Sequence, residues 1–165
     1  MISKHLESTM ISHEQMINFS DLLSKGKAEA DATRNIMKFM CAGVGMVLQD
    51  EEVSPVVNGA FTAAHIYWFE GGENEKELNA ARVKCWDFLE AKGRDVDIED
   101  NEDAAIRALF CVMYPDRVSD EDFVQESFQW FFEMINRIGH FSRAFEQLAT
   151  KAALDGESNS RGPKR

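Results

Sequence analysis

Apolar residues recur every three or four positions along most of the chain, which is the spacing of one face of an α-helix. Turns that contain glycine, proline or clustered polar residues separate seven such segments. The predicted helices cover about residues 12–26, 29–48, 54–70, 74–92, 101–113, 119–138 and 141–154. Because runs of β-branched residues are few, the pattern predicts an all-α fold, a single compact, irregular bundle of about seven helices.

Several predicted helices begin with recognisable capping residues. Ser12 and Gln15 have the spacing of a capping box, in which each side chain bonds the backbone N–H of the other residue. Ser54 precedes Pro55, whose fixed φ suits the first turn of a helix. Ser119 and the three acids after it predict the start of the sixth helix, because carboxylates are favourable at the positive end of the helix dipole.

Two internal features predict how the helices pack. Gly43 and Gly45 lie inside the second predicted helix, where each costs about 1 kcal/mol relative to alanine, so we expect a close helix crossing there. The sixth helix is apolar nearly all round from Phe123 to Ile138. A helix that is apolar on every side must be surrounded. We therefore expect it to be the central element, or to form a subunit interface through the residues from Phe128 to Ile135.

The pattern divides the chain into three parts. Residues 12–155 form the helical domain, residues 1–11 are expected to be a flexible segment, and the polar residues 156–165 are expected to be disordered. No stretch approaches the ~20 apolar residues of a membrane span. The first residues lack the apolar core of a signal peptide. Three cysteines without a C-x-x-C pair predict reduced, buried thiols and a cytoplasmic protein.

The charge of the chain excludes several kinds of partner. It has 29 acidic and 18 basic side chains and a formal net charge of −11. Direct nucleic-acid binding needs clustered Lys and Arg to neutralise phosphates, so we expect none. Binding to an anionic membrane surface is disfavoured for the same reason.

Searches for catalytic, cofactor and metal chemistry find no complete pattern, so we expect a non-enzymatic protein without a cofactor or metal. The acidic run that starts at Asp95 resembles a calcium-binding loop, but Asp100 replaces the required Gly and Ile106 the final Glu. His65 lies among apolar residues and predicts a core or boundary histidine. We expect Arg82 and Arg107 each to pair with an acid on another helix, as an internal clamp. These three residues would be the first suspects if a site is assembled from distant positions.

Acidic residues are concentrated in one part of the chain. Residues 95–126 contain eleven acids and two bases, and the acids gather before two predicted helices. They could offset helix dipoles and keep a Phe-rich protein in solution. They could also form a focused negative field that attracts a basic protein. The partner-binding candidates are Asp95, Asp97, Glu99, Asp100, Glu102, Asp103, Asp120, Glu121 and Asp122.

Two segments resemble helical immunity proteins of bacterial toxin systems. They are the Ala/Arg-rich runs at 80–86 (AARVKCW) and 104–109 (AAIRAL). The resemblance implies a non-enzymatic inhibitor that neutralises a basic toxin or effector protein. Two alternatives stay open: a structural or regulatory homodimer formed through the Phe128 to Ile135 helix, and a phage anti-defence inhibitor that mimics DNA.

Overall fold

A computed structural model describes residues 9–94 and 96–161, with side chains described as far as residue 155. The described residues form seven α-helices, one short 3-10 turn at Pro115–Arg117 and no strand, so the predicted all-α fold is confirmed. The helices are α1 His13–Ser24, α2 Glu29–Leu48, α3 Pro55–Phe69, α4 Glu75–Ala91, α5 Asn101–Phe110, α6 Glu121–Ile138 and α7 Ser142–Arg161. None of them is long and apolar enough to cross a membrane.

The helix starts follow the predictions in part. The capping box of α1 is present, with Ser12 Oγ accepting from the Gln15 N–H and the Gln15 side chain accepting from the Ser12 N–H. Ser54 precedes α3 as expected, but its hydroxyl makes no capping bond. The cap of α6 is Asp120 rather than Ser119, because the Asp120 carboxylate accepts from the Phe123 N–H at 3.2 Å.

The central helix is α2, which contacts α1, α3, α5, α6 and α7. The expectation that α6 would be central is wrong. The buried phenylalanines of α6 share one face, and the opposite face exposes Gln129 and Glu133 together with Trp130, which is 41% exposed. The helix that is buried on every side is the short α5, from Asp103 to Phe110.

Phenylalanines from four helices form the core around α2. The rings of Phe39 and Phe145 lie 5.7 Å apart between centroids, and those of Phe132 and Phe145 lie 5.4 Å apart. Phe19 of α1 joins the cluster at 5.7 Å from both Phe39 and Phe132. These separations are typical of favourable tilted and edge-to-face aromatic pairs. The cluster fixes α1, α6 and α7 against α2.

The close crossing predicted at the two glycines is confirmed. A Cβ on Gly43 would lie 2.6 Å from Cζ of Phe145, so α7 packs directly on the α2 backbone. A Cβ on Gly45 would lie 2.7 Å from Cζ of Phe61 in α3. The two glycines therefore allow two different helices to pack closely against α2, one on each side.

The first and last parts of the chain meet on the core. Ile11 is 3% exposed, and its backbone N–H and C=O both bond the side-chain amide of Asn136, at 2.9 and 3.0 Å. The segment expected to be flexible therefore ends in residues held by α6, while residues 1–8 lie outside the described residues. Helix α7 continues to Arg161, beyond its expected end at Leu154. Residues 162–165 of the tail predicted to be disordered also lie outside the described residues.

Gly43→Ala is expected to lower the free energy of unfolding, because the added methyl meets the fully buried Phe145 ring and overpacking costs about 1–3 kcal/mol. Gly59→Ala in α3 is the matched control, since a Cβ there meets nothing within 4 Å. The control should raise stability by about 1 kcal/mol through helix propensity alone. Urea unfolding of both variants measures the two signs, and stabilisation by Gly43→Ala would contradict the crossing.

Candidate partner-binding surface

The loop after α2 is joined to the start of α5 by two hydrogen bonds. The Ser54 N–H donates to the Glu102 carboxylate at 2.7 Å, and the Asn101 side-chain amide donates to Glu51 at 2.9 Å. Acids that are about fifty residues apart in the sequence therefore lie on one end of the bundle. We call this surface the acidic end, and its described acids are Asp50, Glu51, Glu52, Asp97, Glu99, Asp100, Glu102 and Asp103.

Two cations hold the inner layer of the acidic end together. Lys92 Nζ lies 3.4 Å from the Asp103 carboxylate and 3.5 Å from the Glu102 carboxylate. Arg94 lies 2.6 Å from the nearest oxygen of Glu99 and 3.3 Å from Asp103. Asp103 is 0% exposed and also accepts from the Glu99 N–H at 3.0 Å. These contacts tie the loop between α4 and α5 to the first turn of α5.

Asp100 has a structural role at the start of α5. Its carboxylate accepts from the Asp103 N–H at 2.8 Å as the helix cap and from Arg94 at 2.6 Å. Partial burial acts to raise the pKa of Asp100, but these hydrogen bonds and the charges of Lys92 and Arg94 outweigh it. The net effect is a pKa below the usual value for Asp.

The outer layer of the acidic end faces solvent. Asp50, Glu52 and Asp97 are exposed, and Glu99 is exposed although Arg94 binds it. The eight described acids exceed the three cations at this end, Lys92, Arg94 and Arg107, by five negative charges. Because the paired inner carboxylates fix the loop, the unpaired outer ones project from a defined backbone and can act on a charged partner at a distance.

The second predicted group, at Asp120, lies at the other end of α2. Ser119 shares a small cavity with Glu29 and Arg34 of the first turns of α2, whereas Glu51 follows the last turn. A helix of 20 residues is about 30 Å long at ~1.5 Å per residue. The two groups of acids predicted from the sequence therefore do not form one surface.

The nine predicted residues have different surroundings. Asp103 is fully buried and not available to a partner, and Asp100 and Asp120 cap helices. Glu99 and Glu102 are paired, whereas the remaining described candidates are exposed. These remaining candidates, which neither cap a helix nor form a described ion pair, are Asp97, Glu121 and Asp122. Asp95 lies outside the described residues. The sequence analysis missed Asp50, Glu51 and Glu52. Three consecutive acids between two predicted helices could have identified them as candidates.

The residues suspected of cryptic catalysis lie in different environments. His65 is exposed and stacks on Phe69 at 4.6 Å between ring centroids, so its expected place in the core or at its boundary is wrong. Arg82 donates to the Met113 carbonyl at 2.7 Å, and buried Arg107 donates to the Arg94 carbonyl at 3.0 Å. Both of these bonds go to backbone carbonyls, whereas acids were expected.

The three cysteines are buried, as predicted, and are not bonded to one another. Burial raises the pKa of the Cys85 thiol to about 11 and that of the Cys41 and Cys111 thiols to about 12. These thiols are therefore protonated and poorly nucleophilic at neutral pH.

Two carboxylates of the acidic run that resembles a calcium loop are already bound in the folded chain. Lys92 pairs with Asp103, and Arg94 pairs with Glu99 and Asp103, at two of the positions that would offer ligands to a cation. Within the described part of the chain, no group of three or more His, Cys, Asp or Glu is placed to hold a metal ion.

The homodimer hypothesis relied on apolar side chains from Phe128 to Ile135. Five of these side chains are buried inside the single chain: Phe128, Phe131, Phe132, Met134 and Ile135. Trp130 is the one exposed apolar residue in this range. An interface on this helix would rest on Trp130 with polar neighbours. The structure gives this alternative no further support.

No protein-family model, no curated protein and no solved structure matches this chain significantly. Function is therefore inferred from the geometry and charge of the described residues.

Asp103→Ala is expected to lower the free energy of unfolding by about 2–3 kcal/mol, because it removes a buried, paired carboxylate that also accepts from the Glu99 N–H. Asp97→Ala is the matched control on an exposed side chain and should change stability by less than about 0.5 kcal/mol. Urea unfolding measures both. Equal effects of the two variants would show that the buried carboxylate does not hold this loop.

Asp100→Asn is expected to make stability less dependent on pH while keeping a good helix cap. Because folding lowers the pKa of Asp100, its charge stabilises the fold above about pH 4, and this contribution is lost as the pH falls through the lowered value. Wild type should exceed the variant in stability at pH 7, and the difference should disappear as the pH falls through the lowered pKa of Asp100. Urea unfolding across this range provides the test, and a constant difference would contradict it.

Proposed function

We propose that this chain is a non-enzymatic binding protein that engages a basic protein through its acidic end, as an immunity-type inhibitor of a basic toxin or effector would. The single observation that carries the proposal is that the loop of Asp50, Glu51 and Glu52 is joined to the start of α5. The joining bonds are Asn101 to Glu51 and Ser54 to Glu102. This arrangement brings an excess of five negative charges together at one end of a small protein.

The pairing of the inner carboxylates supports a binding role for the outer ones. A partner's Lys and Arg side chains are attracted over a Debye length of about 8 Å at physiological ionic strength, which speeds association. Because Asp103, Lys92 and Arg94 already fix the backbone, little ordering remains to be done on binding. A fixed, negatively charged surface therefore favours capture of a basic protein.

The mode of inhibition follows from the charge of the target. A basic enzyme that acts on nucleic acid carries its cations where the phosphates bind. A protein that binds those cations covers the site without any catalytic residue of its own. The alternative, a DNA mimic, uses the same chemistry on a DNA-binding target, and competition with duplex DNA for the captured protein distinguishes the two.

The triple variant Asp50→Asn, Glu52→Gln, Asp97→Asn is expected to lose capture of a basic protein from native cell lysate at low salt, because it neutralises three exposed charges of the acidic end. For the purified pair, the association rate constant should fall at least tenfold with little change in the dissociation rate constant. Stopped-flow association at two salt concentrations measures this effect.

The matched control is the triple variant Glu121→Gln, Asp122→Asn, Glu126→Gln, which removes the same charge from exposed residues of α6. It should capture the same protein as wild type. Equal capture by all three proteins, or loss with the α6 variant alone, would overturn the assignment of binding to the acidic end.

A further inference from the structure

An open groove of about 910 Å³ runs between α3 and α4. Five of its thirteen lining residues have little or no side chain, so the two helix backbones form part of its wall. These residues are Gly59, Ala60 and Ala63 of α3 and Ala80 and Ala81 of α4. Small residues at this spacing let another helix approach closely, as they do at helix interfaces in general.

The length of the groove suits a helix better than a small ligand. Its lining extends along α3 from Pro55 to Ile66, and twelve helical residues span about 18 Å at ~1.5 Å per residue. This length corresponds to about three helical turns of an occupant. Ile66 at one end is 37% exposed and adds an apolar contact.

Carboxylates flank the groove at both ends. At the Pro55 end, Ser54 is bonded to Glu102, so the groove opens directly beside the acidic end. At the Ile66 end, the turn into α4 carries four exposed acids. These acids are Glu70, Glu73, Glu75 and Glu77. Among the described lining residues, Lys84 is the one cation.

One buried polar atom also lines the groove. The side-chain amide of Asn74 donates to the Ala63 carbonyl at 3.0 Å, while its Oδ1 is buried and accepts no hydrogen bond from a described residue. Lys and Arg side chains of an occupant would complement the acids around this end of the groove.

From this geometry we infer that the α3–α4 groove binds a helical segment of the basic partner. The helix lays an apolar face on the small residues and places Lys or Arg in its first and last turns, against the two groups of acids. This inference rests on the proposed function and deepens it by naming the structural element of the partner that is bound.

Gly59 offers a variant that fills the groove without harming the fold. A Cβ at Gly59 meets nothing within 4 Å, and its backbone is ordinary α-helix, so Gly59→Leu places a large side chain in open space. Leucine is a better helix former than glycine, so the variant should be at least as stable as wild type. Gly59→Ala is the matched control, because it gains helix propensity and adds one methyl group.

The probe is a labelled peptide of about 18 residues with Ala and Leu on one helical face and Lys in both end turns. A scrambled peptide keeps the composition and the terminal Lys but distributes the apolar residues around the helix. By fluorescence anisotropy, wild type and Gly59→Ala should bind the amphipathic peptide at least tenfold more tightly than the scrambled one. Gly59→Leu should abolish this preference.

Three outcomes would overturn the groove assignment. The first is equal affinity of wild type for the two peptides, or binding of neither. The second is a preference that persists in Gly59→Leu. The third is light scattering at twice the 18.7 kDa chain mass that Gly59→Leu reduces to one chain, because a second copy would then occupy the groove.

Failure of this inference is separable from failure of the proposed function. If charge alone drives binding, the acidic-end triple variant weakens both peptides equally and Gly59→Leu still captures the basic protein. If the acidic end has no binding role, its triple variant captures the basic protein as wild type does, whatever the result with the peptides.

Discussion

A carboxylate that is fully buried must be paired, and at Asp103 this constraint organises one end of the molecule. Helix α5 is buried from Asp103 onward, so this carboxylate has no access to water. Lys92 and Arg94 bring the required charge from the end of α4, and the Glu99 N–H adds a hydrogen bond. Pairing within the fold is the condition under which a buried ion is tolerated. The position of the connecting loop follows from it.

Because of this pairing, the acidic side chains divide into two groups. Some stabilise the fold, and others face solvent and are free to attract a partner. A net charge of −11 says nothing of this division, because Asp103 and Glu99 count equally with Asp97 in the total. In the folded chain the inner carboxylates are bound to cations of the same loop, and the outer ones face water. The surface field of the acidic end therefore comes from fewer groups than the composition indicates. Concentration, more than total charge, determines how strongly a partner is attracted.

The features that were predicted correctly from the sequence are those that depend on residues close together along the chain. The Ser12 capping box and the glycine crossings of α2 depend on residues within one or two turns, so spacing alone identified them. The prediction that α6 is the central helix was wrong because it counted the apolar residues of α6 and did not consider that its phenylalanines lie on one face. The acidic end depends on bonds between Glu51 and Asn101 and between Ser54 and Glu102, about fifty residues apart. Such pairs are set by tertiary packing, which periodicity does not describe.

The attachment of the first described residues to the last helices has a consequence for synthesis of the chain. Ile11 bonds Asn136, and the Ser142 N–H donates to the Thr9 carbonyl at 3.1 Å, so Ile11 is held by a residue that is translated 125 residues later. On the ribosome, Phe19 can meet Phe39 early but must wait for Phe132. Helix α1 therefore leaves the exit tunnel with an apolar face uncovered, and its burial is completed only after translation has passed α6. Throughout that interval the nascent chain offers a chaperone a binding site that the finished protein no longer has.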